Sequence, residues 1–230
     1  MSDVGLSGAG MPGASHDALI ADLVAGLRPV RRLQAPPLRA AGWILIVVVL
    51  AIALASFADL SAMRRRMMAE PDMWLAILGS TLTAGLAAIA AFELNMPDRS
   101  PRWALLPLPG LAMWVGASGL GCAREIVIPG TRVASMMEAM HCLMFITGLS
   151  VPLSLVIYLM LRRGFSLHPS LTGMSAGLAV AAAAATLLNF FHPYDAAAAD
   201  LAVHAGAVLV VIAANRAIGA RRFGTAVGAG

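Results

Sequence analysis

The stretch AAGWILIVVVLAIALASFA, residues 40–58, decides the fold. It contains no charged residue and lies between Arg39 and Asp59. A helix needs about 20 apolar residues to cross the hydrocarbon core of a bilayer. The stretch is therefore long enough to cross a membrane, and we interpret it as the first transmembrane helix.

The composition of the whole chain supports the same interpretation. Of its 230 residues, 60% are hydrophobic and 12% are charged, and the mean hydropathy is +0.82. Soluble domains carry about 25% charged residues. All 16 basic residues are arginines that flank apolar segments, so membrane topology explains the high pI better than nucleic acid does. We expect an integral membrane protein with no direct nucleic-acid partner and no small-molecule substrate.

Further apolar stretches between charged residues predict five more spans. Three of them are 73–92, 103–123 and 139–161. The fourth is a run between Arg163 and Asp195 that opens with a turn from Gly164 to Pro169. The fifth is 201–215, or a longer helix that begins near Ala196. The predicted fold class is therefore all-α, a polytopic membrane protein with six transmembrane helices. We divide it into a cytoplasmic N-terminal segment (1–39), a membrane domain (40–219) and a cytoplasmic tail (220–230).

The distribution of arginines predicts the orientation of the spans, because loops rich in basic residues stay in the cytoplasm. With the N-terminus inside, eleven arginines lie inside and five outside. The inside set is Arg28, Arg31, Arg32, Arg39, Arg99, Arg102, Arg162, Arg163, Arg216, Arg221 and Arg222, and the outside set is Arg64, Arg65, Arg66, Arg124 and Arg132. Both termini are therefore expected to be cytoplasmic, although the cluster Arg64–Arg66 opposes the rule.

Glycine and proline positions predict local features of the spans. Gly173 and Gly177 are four residues apart, a spacing that permits close contact between helices. Pro107, Pro109 and Pro152 fall inside predicted spans and should kink them.

The N-terminal stretch HDALIADLVAGL, residues 16–27, predicts a short amphipathic helix. Ser15 or Asp17 could cap its start, and Pro29 follows its end. An isolated helix of this length is marginal in water, so it needs a surface to lie on. Acidic residues within its body favour a groove on a protein over an anionic lipid surface, which remains the alternative. The apolar positions that recur at helical spacing are Leu19, Ile20, Leu23, Val24 and Leu27.

Several ionisable residues fall near the predicted outer side of the membrane. They are Cys122, Cys142, His192, Asp195 and His204. Polar groups within a membrane suggest a function, and thiolate, imidazole and carboxylate groups suit a soft or borderline metal ion. We interpret these residues as candidate redox or metal sensors. The alternative is that the cysteines are small buried apolar residues and that the histidines form hydrogen bonds between helices.

Two other classes of function remain open on the residues alone. A small transporter or channel would place polar residues along the whole path through the membrane, whereas here they collect on one side. The stretch GASG, residues 116–119, together with a histidine in the last span, is a shallow match to rhomboid intramembrane proteases, with Ser118 as nucleophile. We expect no enzymatic activity.

The chain resembles the NrsF-like family of six-span membrane anti-sigma factors. Three stretches carry the resemblance: DALIADLVAGLRPVRRLQAPPLRA from Asp17, HCLMFITGLSVPLSLVIYLMLRRGFSLHPSLTGMSAGLA from His141, and NFFHPYDAAAADLAVHAGAVLVV from Asn189. The resemblance implies a protein of the bacterial inner membrane. Such a protein sequesters an extracytoplasmic-function sigma factor and releases it on an envelope, oxidative or metal stress signal.

The resemblance also implies roles for residues. The sigma factor would be bound by the amphipathic helix, through Asp17, Leu19, Ile20, Leu23, Val24, Leu27 and Arg28. No cofactor is expected, and a metal ion would enter only as a signal. The family commonly has a second cysteine after the histidine of the outer turn, where this chain has Pro193. The family's cysteine pair is therefore incomplete, and sensing would rest either on Cys142 with Cys122 or on Cys142, His192, Asp195 and His204.

Overall fold

The computed structural model describes residues 16–27, 33–69, 71–127, 136–189 and 198–224. The chain divides into two compact units, Met1–Leu33 and Gln34–Gly230. The first unit contains α1 (His16–Ala25). The second contains α2 (Pro36–Ala55), α3 (Leu60–Ala69), α4 (Pro71–Leu94), a 3-10 helix (Pro101–Leu105), α5 (Leu108–Val127), α6 (Met136–Leu161), α7 (Pro169–Leu188) and α8 (Ala198–Gly224).

The all-α prediction is confirmed for the described part of the chain, which contains helices and no strand. Five helical segments there are long and apolar enough to cross a membrane: Pro36–Ala55, Met73–Leu94, Pro101–Leu120, Leu143–Leu161 and Pro169–Leu188. The 27-residue α8 covers the region of the predicted sixth span. Six spans and cytoplasmic termini remain predictions.

Proline sets where two of these helices begin. α2 starts at Pro36, earlier than the predicted position 40, because proline fits the first turn of a helix, where its missing N–H is not needed. The predicted kink at Pro109 is wrong for the same reason, because Pro109 is the second residue of α5. At Pro107 the span Pro101–Leu120 is interrupted, since its 3-10 helix ends at Leu105 and α5 begins at Leu108. Pro152 does lie inside α6, as predicted.

α7 forms the centre of the bundle and packs against α4, α6 and α8. Its alanine-rich sequence leaves it buried along most of its length, because helices of small residues can approach closely. The predicted close contact at Gly173 and Gly177 is confirmed. A Cβ atom on Gly177 would lie 2.7 Å from the Cα atom of Ile212 in α8, and one on Gly173 would lie 2.5 Å from the Asn215 carbonyl oxygen.

The remaining core joins α7 to α4, α6 and α2. Alanines of α4 and α7 face each other around the fully buried Trp43, Phe92 and Ile157. The Thr186 hydroxyl donates a hydrogen bond of 2.8 Å to the Ser80 hydroxyl, which ties α7 to α4. The outward side of α2 is apolar, as a lipid-facing helix requires, and exposes Leu45, Ile46, Val48, Val49 and Ile52.

The sequence analysis predicted no helix between the first two spans, where the structure has α3. It contains Arg64, Arg65 and Arg66, the cluster that opposes the arginine rule. Met63 donates its backbone N–H to the Asp59 carbonyl oxygen at 3.1 Å, which begins the helix.

Candidate functional site

The amphipathic helix predicted at the N-terminus is present as α1. It begins at His16 and ends at Ala25, after which Gly26 and Leu27 form a turn. The Gly26 N–H bonds to the Asp22 carbonyl oxygen and the Leu27 N–H to that of Val24, both at 3.1 Å. These bonds continue the last turn as far as Leu27. Ser15 and Pro29, proposed as its end signals, lie outside the described residues.

All five apolar residues predicted to form the binding face of α1 are exposed. Leu23 exposes 63% of its surface and Leu27 72%. Leu19, Ile20 and Val24 also expose more than half of theirs. Positions 19, 23 and 27 are spaced by four residues, and 20 and 24 adjoin them, so the five share one side of the helix. A continuous apolar stripe of this kind marks an interaction surface. The side chain of Asp17 and the whole of Arg28 lie outside the described structure.

The five candidate sensor residues are only partly placed. Cys122 lies in α5, Cys142 in α6 and His204 in α8, and the structure describes the backbone of each but not the side chain. His192 and Asp195 lie outside the described residues. The predicted convergence of these groups is therefore untested and remains a prediction.

Metal-binding side chains do not cluster in the part of the chain whose side chains are described. Among those residues, no three His, Cys, Asp or Glu side chains come together as a metal site. The exposed His141 of α6 belongs to that part.

A polar cluster that sequence analysis did not identify lies at one end of the bundle. Arg39, in the first turn of α2, is 6% exposed. Its Nη2 donates a hydrogen bond to the Met160 carbonyl oxygen in the last turn of α6, and its guanidinium lies 4.9 Å from the ring centroid of Phe92 in α4. Its Nη1 has no hydrogen-bond partner among the described residues. One side chain thus joins three helices.

The neighbouring carbonyl groups at the ends of α4 and α6 are also bound by side chains. The Asn95 Nδ2 donates to the Leu161 carbonyl oxygen at 2.9 Å. The Leu94 carbonyl oxygen accepts hydrogen bonds from Ser166 at 2.8 Å and Thr172 at 3.2 Å. The last carbonyls of a helix have no partner within it, so these bonds satisfy groups that would otherwise be buried and unpaired. The ends of α4, α6 and α7 are therefore fixed to one another.

The sequence does carry a signal for this cluster. Glu93 and Asn95 follow the apolar part of α4 directly, and Arg39 precedes that of α2. Glu93 is buried and forms an ion pair of 3.0 Å with the half-exposed Arg99. In the sequence prediction, Arg39 served only to delimit the first span and to orient the chain, and Glu93 only to delimit the second span. Polar residues at such boundaries are also the ones that join helix ends across a bundle.

Comparison with known proteins identifies the family. The family described as "Negative regulator of sigma F" (NrsF) matches residues 23–223, which include the last part of the α1 stripe and all helices of the second unit apart from the final residue of α8. Neither a curated protein nor a solved structure matches the chain. Since the match covers most of the sequence, the chain belongs to the NrsF family, whose members are negative regulators of a sigma factor.

Proposed function

We propose that this protein is an anti-sigma factor that holds an extracytoplasmic-function sigma factor at the bacterial inner membrane and releases it on an envelope, oxidative or metal stress signal. The observation that carries the proposal is the exposed apolar stripe of α1, in a chain whose family regulates a sigma factor negatively. A sigma factor bound in this way is kept from polymerase.

The stripe has the pattern of a helix that binds in a groove. Such helices present apolar anchors at positions i, i+3 or i+4, and i+7. Ile20, Leu23 and Leu27 have these spacings. The helix is acidic at Asp22 and carries no arginine within its bounds, which favours a protein groove over an anionic lipid surface. Arg28, just beyond the stripe, would add a contact to an acidic group on the sigma factor.

The second unit supplies the membrane anchor of the proposed function. Its five long apolar helices have the length that a bilayer requires, and the outward side of α2 is apolar. We propose α8 as a sixth span, which puts both termini on the same side of the membrane. The arginine distribution places that side in the cytoplasm, where the sigma factor is. The membrane domain then consists of residues 40–219, between the binding segment (1–39) and a short tail (220–230).

Release requires the membrane domain to change the affinity of α1 for its partner. Moving a binding equilibrium from 1:99 to 99:1 takes about 5.5 kcal/mol. We propose that Cys142, with Cys122, His192, Asp195 and His204, detects the signal on the outer side, and that no cofactor takes part. We propose that Arg39 transmits the change in the membrane domain to α1. It joins α2 to α4 and α6, and it follows the linker from α1 in the chain.

The test is binding of the sigma factor by the full chain in lipid nanodiscs. Sigma factors of the host would be purified singly and mixed with the wild-type protein or with L23D/V24D. The matched control is A21D/A25D, which adds the same two charges on the opposite side of α1. We expect L23D/V24D to lower the affinity on the order of a hundredfold, since two buried apolar anchors are replaced by charges, and A21D/A25D to leave it within about threefold.

A second readout separates inhibition from mere binding. Transcription by polymerase carrying the bound sigma factor should stop on addition of the wild-type protein and continue on addition of L23D/V24D. Equal binding by L23D/V24D and the wild type would contradict the assignment of α1. If no sigma factor bound the wild-type chain, the anti-sigma proposal itself would fail.

A further inference from the structure

The position of α3 in the chain fixes it near the membrane surface. Four residues separate the end of α2 at Ala55 from Leu60, and Glu70 alone separates Ala69 from the start of α4. Both α2 and α4 contain segments long enough to span a bilayer. Four residues reach at most about 14 Å when fully extended. If α2 and α4 are inserted, α3 cannot leave the interfacial region.

The exposed side of α3 combines arginines with large apolar residues. Phe57, just before the helix, is 83% exposed and Met68 is 79% exposed. Leu60 is half exposed, and Arg64 lies between Leu60 and Met68 on the same face, because the three are spaced by four residues. Arg65, also exposed, adjoins this face. A group of large apolar side chains exposed together in this way marks a surface that another phase or molecule covers.

Asp59, the acidic residue at the start of α3, is engaged by the helix itself. Its Oδ1 accepts hydrogen bonds from the Ser61 N–H at 3.0 Å and the Ser61 hydroxyl at 2.6 Å. Arg65 donates to the same hydroxyl at 3.2 Å. In number, Asp59, Glu70 and Asp72 balance the three arginines of the helix. General attraction to an anionic surface is therefore weak, so an anionic group would interact with Arg64 and Arg65 only at close range.

We propose that α3 lies in the bilayer interface, with the guanidinium groups of Arg64 and Arg65 bound to phospholipid phosphates and with Phe57, Leu60 and Met68 inserted among the lipid chains. A phosphate group accepts two parallel hydrogen bonds from one guanidinium, which a compact ammonium group cannot match. Because arginine side chains are long, guanidinium groups on the same face as Leu60 and Met68 can reach the phosphates while the apolar side chains lie deeper. The proposal rests on the membrane insertion proposed above and is independent of sigma binding.

The interfacial position also explains an exception in the topology. Arg64, Arg65 and Arg66 lie on the proposed outer side, against the usual bias for arginine inside. Binding to lipid phosphates would keep these arginines at the outer membrane surface. The apolar residues of α3 would strengthen the binding of the helix to the same surface. The cluster is then part of a helix that anchors the chain between its first two spans.

Photo-crosslinking from single positions of the full chain tests the proposal in bacterial membranes. Benzoylphenylalanine would replace Met68, and the adducts would be identified by mass spectrometry. Val49, exposed on the apolar side of α2, serves as the lipid-facing reference. Leu23 in α1, which the proposed function places in a protein groove, serves as the reference for a position outside the bilayer. We expect phospholipid adducts at position 68 in a yield comparable to position 49, and none at position 23.

A variant separates the phosphate contact from simple insertion. R64Q/R65Q should lower the phospholipid adduct at position 68 on the order of tenfold, from the loss of two arginines near the surface. R162Q/R163Q, which removes two exposed arginines just after α6, should leave it unchanged. An adduct to protein at position 68, the absence of a lipid adduct there, or a lipid adduct that R64Q/R65Q does not reduce would each overturn the proposal.

Discussion

The guanidinium of Arg39 lies 4.9 Å from the ring centroid of Phe92, so the first turn of α2 packs against the last turn of α4. The same guanidinium binds the Met160 carbonyl oxygen of α6. An arginine over an aromatic ring gains energy from the negative face of the ring, and gains more when water is excluded. This contact stabilises the end of the bundle from which α2 begins.

The first prediction concerns this contact. Lysine in place of Arg39 keeps the charge but loses the planar guanidinium, which stacks on the ring and donates hydrogen bonds in a fixed geometry. R39K should therefore lower the free energy of unfolding by about 1–3 kcal/mol. F92L should remove the ring while keeping an apolar side chain of similar reach. Unfolding would be followed by titration with denaturing detergent.

A double-mutant cycle isolates the stacking energy. R39K/F92L should show a coupling of about 0.5–1 kcal/mol, because F92L removes the ring and R39K weakens the contact with it. R162Q, which replaces an exposed arginine just after α6, serves as a control for a general loss of positive charge. Strict additivity of R39K and F92L would show that the two side chains act independently.

The second prediction concerns the contact between α7 and α8. A Cβ atom on Gly177 would lie 2.7 Å from the Ile212 Cα atom, so G177A must push the two helices apart. We expect a loss of about 1–3 kcal/mol of stability, the usual effect of overpacking a core. G206A in α8 is the matched control, since its added methyl group would have no atom within 4 Å among the described residues.

The control should be neutral or slightly stabilising, because alanine is the better helix former. Detergent denaturation and the melting temperature in nanodiscs would measure both variants. Equal stability of G177A and the wild type would mean that α7 and α8 do not rely on this close approach.

The third prediction concerns the candidate sensors. C142S should abolish release of the sigma factor by hydrogen peroxide while leaving binding in its absence unchanged, because the thiol is proposed to detect the signal and not to contact the partner. H204A should reduce release by a divalent metal such as Zn²⁺ and leave the response to peroxide intact. A transcriptional reporter for the sigma factor would measure both responses.

C122S tests whether the second cysteine takes part. In the family, a second cysteine commonly occupies the position of Pro193. If Cys122 takes over the role of that cysteine, C122S should lose the peroxide response as C142S does. A full response in C122S/C142S would remove the cysteines from the sensing mechanism and leave the histidines and Asp195 as candidates.

Much of the fold follows from the sequence because hydropathy and helix length are local properties. The apolar stretches at 40–58 and 73–92 each fall largely within a helix, and the spacing of Gly173 and Gly177 correctly indicated close packing. The α1 helix was likewise predicted from its period and end signals. Each of these features depends on residues within a few turns of one another.

The features that the sequence did not reveal depend on contacts between distant residues. Arg39 and Met160 are 121 positions apart, and Asn95 and Leu161 are 66 apart, so no local pattern links them. The helix α3 was missed for a different reason. A segment between two spans with three consecutive arginines has the composition of a loop, and its helical structure depends on the start at Asp59 and on packing against α4.

The last prediction concerns α8 and the orientation of the whole chain. If α8 crosses the membrane, the chain has six spans, and both termini lie on the same side. A green fluorescent protein fused after Gly230 should then fluoresce, since it folds only in the cytoplasm, and a fusion at the N-terminus should also fluoresce. Alkaline phosphatase, which is active only outside, should be active when inserted between Met67 and Met68 in the segment after the first span.

Deleting α8 provides the control for that experiment. A chain truncated after Leu188 ends beyond the fifth span, so fluorescent protein attached there should be dark and alkaline phosphatase active. Darkness at both Leu188 and Gly230, with a fluorescent N-terminal fusion, would mean that α8 does not cross the bilayer. Darkness at the N-terminal fusion with normal insertion would place α1 outside, where no sigma factor occurs, and would contradict the proposed function directly.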